Sequence, residues 1–276
     1  MPRASTNAST AADYYDSADT EAFYRLCWGG SDIHIGRYDT GRESVAEGSA
    51  AMTRHLLGLA GFREGDRVLD IACGFGGTLA QLAGIGCRAA GMDISQVCVA
   101  QARRALAAAG LAEDIPVSRG DFHDIESAPG VWDGLVCQES IIHSSDRSRV
   151  FDEAHRVLRP GGIFAVSDIL ATDGADPELI AAAFDRLGVH EFATRGDYEA
   201  MARKAGFRID HAEERRQDIE THYAKLADAL SPPPEGLAPD TAERIATSIG
   251  HWRAAIAGGH VTWACLVLRK PGADED

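Results

Sequence analysis

Three carboxylates and one glycine-rich turn stand out as residues able to do chemistry together. Asp70 ends an apolar run and opens the turn in VLDIACGFGG, Val68–Gly77. Asp93 ends a second apolar run in GMDIS, with Ile94 beside it, and Asp121 follows a third run in RGDFHDI, with Phe122 beside it. Glycines at 74 and 76 carry no Cβ, so a ligand can approach the backbone closely there. A helix beginning at such a turn points free N–H groups at that ligand. An acidic side chain at the second site can accept both hydroxyls of a ribose. At the third, carboxylate and ring suit the amine edge and face of a purine. Each aspartate alone also reads as a helix cap or turn residue. Three at three successive strand ends form a stronger pattern, because in an open α/β sheet strand C-termini line the ligand crevice.

A nicotinamide dinucleotide is the rival ligand, and the spacing opposes it. Its fingerprint needs G-x-G-x-x-G. Ala72 stands where the first glycine would fall; counted from Gly74, the last position is Leu79. Asp70, placed before the turn, would repel a pyrophosphate but suits a cationic amino acid. The ligand that combines such a group with adenosine is S-adenosylmethionine. A fourth apolar run ends in CQESIIHSSD, which sets Gln138 and Glu139 at the crevice lip and His143 in the loop beyond. His143 reads either as a proton acceptor or as a loop histidine satisfied by local hydrogen bonds.

These residues need a sheet to hold them. Val68–Ile71, Cys87–Met92, Ile115–Ser118, Gly134–Cys137 and Ile163–Ile169 read as strands, and their continuous apolar character predicts burial on both faces. Helices fall between most of them: one begins at Thr78–Leu82, one spans 96–109 capped by Ser95, and one spans 147–158 opened by Asp146. Alternation of this kind predicts a doubly wound, mostly parallel sheet with right-handed crossovers. Beyond it, Asp176–Pro177 opens another helix, 197–205 forms a further one, and a strand follows near 207–213. Helices near 218–230 and 240–256 precede a final strand, Val261–Leu268. That makes seven strands in all. Upstream, Val45, Ser49, Met52, Leu56 and Leu59 recur at helical spacing, so 43–60 is a helix, preceded by the aromatics Tyr14, Tyr15, Phe23, Tyr24, Trp28 and Tyr38. We expect a disordered tail over 1–12, a helical lid over 13–62, and a ligand-binding domain over 63–276 whose segments near 170–196 and 218–258 cap the site.

Bulk properties set outer limits. A net charge of −15 on 276 residues repels phosphate backbones and argues against nucleic acid as a partner. No apolar run reaches the ~20 residues of a membrane helix, and the first residues carry no secretory apolar segment. Six cysteines show no metal-finger or CxxC spacing, so we expect them reduced, in a cytoplasmic protein without a metal. Lysine occurs only at 204, 225 and 270. Such acidity and arginine bias fit a salty cytoplasm, or simply a GC-rich genome.

Taken together, VLDIACGFGG, GMDIS, RGDFHDI and VLRPGG resemble the class I S-adenosylmethionine-dependent methyltransferases over about 66–170, with Ala72 in place of the usual first glycine. The segment 14–38, YYDSADTEAFYRLCWGGSDIHIGRY, and the loop 138–147 resemble the sarcosine/dimethylglycine N-methyltransferases. That resemblance implies a Rossmann-like fold, S-adenosylmethionine as cofactor, and methylation of the small amines sarcosine and dimethylglycine to the osmolyte glycine betaine. Methyltransferases acting through carbon or oxygen on sterol, prenyl or phenolic substrates share parts of the pattern and stay open, as does a homodimer. It implies donor contacts from Tyr24, Trp28, His34, Asp70, Ala72, Gly74, Gly76, Asp93, Ile94, Asp121, Phe122 and Gln138. For the acceptor it implies His143 as proton acceptor or positioning group, Tyr38 among the aromatic faces for a quaternary ammonium, and Arg186 for the carboxylate. Arg37 and Arg195 are alternatives to Arg186.

Overall fold

Strand pairing follows the alternation of apolar runs and helices. In the structure, a computed structural model, β1 (Arg67–Asp70) pairs in parallel with β2 (Arg88–Asp93) on one side and β4 (Trp132–Gln138) on the other. The next strand, β3 (Val117–Arg119), adds to β2, and β5 (Leu158–Ala171) adds to β4, all parallel. The last strand in sequence, β7 (Val261–Arg269), inserts antiparallel between β5 and β6 (Arg208–Glu214). The seven-stranded order is therefore β3-β2-β1-β4-β5-β7-β6. The described residues are 12, 15–16 and 18–272. Apart from Ala12, the expected tail over 1–12 lies outside them, as does Tyr14.

Side-chain alternation splits the core into two layers. Val68, Val136 and Ala165 face one cluster, while their neighbours Leu69, Leu135 and Phe164 face the other. Each strand is thus apolar on both sides, the condition a buried parallel sheet requires. Local signals set where the helices begin and end. The chain enters through α1 (Ala18–Phe23), which tightens into a π turn at Tyr24–Trp28 and stops at Gly29, φ +77°. A capping box between Ser44 and Glu47 starts α2 (Val45–Ala60). Ser95 accepts from the Cys98 N–H to start the helix after β2, α4 (Gln96–Ala108), and Asp146 does the same from Arg149 for α5 (Arg147–Val157). The helix after β1, α3 (Gly77–Ile85), starts from Gly76 with no side-chain cap.

Past β5, Asp176 caps α6 (Pro177–Phe184), with Pro177 in the first turn. Thr194 caps α7 (Arg195–Lys204), and β6 leads into α8 (Arg216–Ala229) and α9 (Pro239–Ala257). Trp252 of α9 joins three helices by ring contact, meeting Phe184 at 4.5 Å and Tyr223 at 5.2 Å. The largest departure from the sequence expectation is β5, which extends over 14 residues rather than 163–169. Its early residues are held because Leu158 pairs with Trp132, and its last because Ala171 pairs with Val261. Among the described residues no helix is long and apolar enough to cross a membrane, and all six cysteines are buried and free.

Candidate active site

The sheet order reverses direction between β1 and β4, which opens a crevice at their C-terminal ends. A cavity occupies it, mostly apolar with a few convergent polar groups, the usual character of a small-molecule site. Its lining joins the turn after β1 (Ala72, Gly74), the ends of β2 and β4, the N-terminal segment, and α8 with α9.

From the adjacent ends of β2 and β3 come Asp93, Ile94, Asp121 and Phe122. Asp93 is 8% exposed, and its Oδ2 accepts the Gly74 N–H and its Oδ1 the Ser95 N–H, each at 2.9 Å. Those bonds tie the glycine turn to β2 and hold the carboxylate at the cavity wall. Burial pushes its pKa up to about 6 against the pull of the two N–H groups. Gly74 sits at φ +50°, a conformation glycine adopts without the penalty of a Cβ. The Asp121 Oδ1 accepts from the backbone N–H of His123 at 2.9 Å and pairs with its ring Nδ1 at 2.6 Å. That hydrogen bond holds the Asp121 carboxyl below the usual carboxylate range. Gln138 lines the cavity; its Nε2 donates to Thr78 Oγ1 at 2.9 Å, and its buried Oε1 has no hydrogen-bond partner among the described residues.

Not every expected residue reaches this wall. Asp70 lies behind it, 2% exposed, with Oδ1 accepting the Ala72 N–H at 3.3 Å. Burial drives its pKa up to about 7. Asp70 therefore shapes the turn rather than lining the cavity. Gly76 faces α4, where a Cβ would come within 3.2 Å of Ala102, so its role is helix packing. The close approach belongs to Gly77: a Cβ there would lie 2.5 Å from the Asp32 carboxyl carbon. The start of α3 is thus covered by the chain's own Ser31–Asp32, whose Ser31 carbonyl takes the Gly77 N–H. Tyr38 is also outside the wall, with its hydroxyl 2.8 Å from His222 Nδ1 and its ring against Gly36 and Gly48. Arg37 pairs with Asp39 and Arg195 with Glu199 and Glu214; neither lines the cavity.

The lining also holds Tyr24, Trp28, His34, Glu139, His143 and Arg186. His143 is 9% exposed; burial and the nearby Arg147 push its pKa down to about 4, so it is a neutral imidazole. Arg186 lies over the Phe23 ring, 5.2 Å from its centroid, a cation–π placement that fixes a flexible side chain. Among the described residues lining the cavity, it alone carries a permanent positive charge. Glu139 has φ +46°, a left-handed backbone that costs about 1–3 kcal/mol outside glycine. Its Oε2 lies 3.0 Å from His34 Nδ1, and the His34 pKa is raised by that hydrogen bond and charge against the effect of burial. Sequence reasoning missed Tyr223, Leu226, Ile249 and Trp252, which complete the apolar wall. In sequence they are ordinary apolar positions of α8 and α9, and only packing turns them inward.

The lining suits an adenosyl amino acid. One carboxylate at the end of β2 can take ribose hydroxyls, Ile94 and Phe122 offer apolar surface for a purine, and the orphan Gln138 Oε1 can accept from an ammonium. Comparison with known proteins agrees. Residues 69–166 match the family described as a methyltransferase domain. The chain is 33% identical over 270 residues to the dimethylglycine N-methyltransferase of Parasynechococcus marenigrum (strain WH8102), covering 96% of each. It is 30% identical over 281 residues to the sarcosine/dimethylglycine N-methyltransferase of Aphanothece halophytica, covering 98% of this chain and 100% of that protein. A solved structure from Galdieria sulphuraria, described as a candidate sarcosine dimethylglycine methyltransferase, aligns at TM-score 0.85 and 28% identity, over 92% of this chain and 98% of that one. Fold, cavity lining and these relatives together place the chain in the class I S-adenosylmethionine-dependent methyltransferases, beside the sarcosine/dimethylglycine N-methyltransferases.

Proposed function

We propose that this enzyme methylates the nitrogen of sarcosine and dimethylglycine, producing glycine betaine. One observation carries the reading: Arg186 is the single guanidinium among the described lining residues, in a wall that also carries the rings of Tyr24, Trp28, Tyr223 and Trp252. An amino acid methylated on nitrogen has the complementary form, a carboxylate at one end and a methyl-bearing amine at the other. Arg186 can bind the carboxylate through its fork of N–H donors. The rings of Tyr24, Trp28, Tyr223 and Trp252 can face the cation that forms, each worth about 0.5–2 kcal/mol.

S-adenosylmethionine, when bound, supplies an electrophilic methyl group on a sulfonium. Asp93 and Ile94, with Ala72, Gly74, Asp121, Phe122 and Gln138, would hold it. The remaining task of the chain is alignment, and positioning two reactants is worth up to about 7–11 kcal/mol. The amine must be neutral to attack. The proton leaves to water before binding, and His143, kept neutral by burial, can accept a hydrogen bond from the amine and so orient its lone pair without carrying a competing charge. In this reading the N-terminal segment through residue 62 acts as a lid and α6, α8 and α9 as a cap, so the apolar wall excludes water.

Incubation with methyl-labelled donor and a panel of glycine, sarcosine, dimethylglycine and larger acceptors tests the proposal. Label on sarcosine and dimethylglycine is expected; label on no small amine would defeat it. One observation favours a second reading: Ile169, Leu187, Leu226 and Ile249 add apolar surface beyond the rings. Transfer only to bulky carbon or oxygen acceptors in the same panel would support that alternative.

A further inference from the structure

Glu139 gathers hydrogen bonds from three separate parts of the fold. Its Oε1 accepts from Ser167 Oγ of β5 at 2.7 Å and from Trp263 Nε1 of β7 at 2.8 Å, while Oε2 pairs with His34 Nδ1 at 3.0 Å. From His34 the path continues on both sides. Its Nε2 lies 3.3 Å from Thr78 Oγ1, the same oxygen that accepts from Gln138 Nε2. Its backbone carbonyl accepts from Trp28 Nε1 at 3.0 Å and from Ser49 Oγ at 2.6 Å. An unbroken polar path therefore joins Trp28 in the N-terminal segment to the orphan Oε1 of Gln138 at the crevice.

We propose that Glu139 is a positioning residue that couples seating of the Trp28–His34 segment to donor binding at Gln138. The physical reason is orientation. An amide can rotate by half a turn and exchange its donor and acceptor ends. When His34 gives its Nδ1 proton to the Glu139 carboxylate, its Nε2 is an acceptor and takes the Thr78 hydroxyl proton, so that oxygen can only accept from Gln138. Gln138 keeps its NH₂ on that oxygen, and its carbonyl is left for the ligand ammonium. In Glu139→Gln the new carbonyl stays on its two donors and the NH₂ faces Nδ1, so His34 turns an Nε2 proton toward Thr78, whose own proton is freed to meet the Gln138 carbonyl, and the amide loses its fixed sense. Coupling is reciprocal, so a ligand bound at Gln138 stabilises the seated segment by the same factor. The backbone strain at Glu139 fits a side chain held in place for its direction rather than for packing alone.

The test measures S-adenosylhomocysteine binding by calorimetry in Glu139→Gln, His34→Asn and the double variant. This ligand keeps the amino acid and nucleoside and needs no turnover. Each single change should weaken binding about tenfold, about 1.4 kcal/mol, and the double variant should be no weaker than the worse single. In protein labelled with ¹⁵N at tryptophan, ligand should shift the Trp28 indole resonance in the unchanged chain and leave it unmoved in Glu139→Gln. Wild-type affinity in Glu139→Gln, or losses that multiply to about a hundredfold in the double variant, would overturn the coupling. If Glu139→Gln does not fold, Ser167→Ala removes one of the three donors more gently. It should weaken the ligand about threefold, and unchanged affinity would count against the proposal. The inference rests on the donor-site reading and not on the acceptor. Failure of the small-amine panel leaves it standing, and absence of any ligand binding in the unchanged chain would instead strike the donor site itself.

Discussion

Replacing Asp70 with Asn should make the stability of this protein less dependent on pH, and the structure gives the size of the effect. The Asp70 carboxyl is buried behind the glycine turn, with one hydrogen bond of 3.3 Å from the Ala72 N–H. Burial raises its pKa from 3.8 to about 7, with His34 opposing and Asp93 and Asp32 adding to the shift. A raised folded-state value for an acid means the folded form holds the proton more tightly. Stability is then highest below the unfolded value and falls as pH rises from about 4 to about 7. Between pH 5 and pH 8 the loss from this one group is about 2–3 kcal/mol. Asparagine keeps the acceptor for Ala72 and cannot ionise, so the variant lacks this slope. Burying an amide NH₂ adds an offset of about 1–3 kcal/mol, but the offset is the same at both pH values. Urea unfolding of both proteins at pH 5 and pH 8 reads Asp70 together with its charge partners His34, Asp93 and Asp32, because titrating groups not coupled to it cancel in the difference. The variant should gain about 2–3 kcal/mol relative to the unchanged chain on going from pH 5 to pH 8. A relative stability constant to within 0.5 kcal/mol would refute the assignment of a buried, reluctantly ionised carboxyl at this position.

Further outcomes follow from the same geometry. Arg186→Met should raise the acceptor KM by about a hundredfold, the loss of a charge-assisted fork of about 2–3 kcal/mol, while donor affinity by calorimetry stays within threefold. Tyr223→Leu removes one ring of the cavity wall and should raise the acceptor KM by about three- to thirtyfold; an unchanged value would remove that ring from the acceptor site. His143 stays neutral above about pH 4, so His143→Ala should lower kcat about ten- to a hundredfold without shifting any limb of the rate profile between pH 6 and pH 9. A limb in that range that vanishes in the variant would contradict a neutral imidazole. Gly77→Ala should lower unfolding free energy by about 1–3 kcal/mol, since the new Cβ lands on the Asp32 carboxyl; a melting curve identical to that of the unchanged chain would show that Ser31–Asp32 yields without cost.

How far the sequence carries depends on whether a feature is local. The Ser95, Asp146 and Asp176 caps are short-range chemistry, and each stands where the sequence puts it. Asp93, Asp121 and Gln138 reach the cavity because strand ends in this topology converge, so their position in a motif fixes their position in space. Tyr38 fails for the opposite reason. Its aromatic character fits a cation site, but Gly36 and Gly48 leave room for its ring against α2, and His222 from α8 takes its hydroxyl. Gly76 and Gly77 are neighbours in one motif with different duties, and only the nearness of Ala102 to one and Asp32 to the other separates them.

The amino-acid order alone therefore determined the doubly wound sheet, the crevice at its strand ends and the kind of ligand the acidic edge accepts. Periodicity, capping and strand-end placement act over a few residues and do not depend on distant partners. The far wall was settled only in three dimensions. Tyr223, Leu226, Ile249 and Trp252 lie on helices more than a hundred residues beyond the glycine turn, and which of their faces turns inward depends on how α6, α8 and α9 pack together. The polar path through Glu139 is likewise tertiary, because His34, Ser167 and Trp263 meet only once β7 has inserted between β5 and β6.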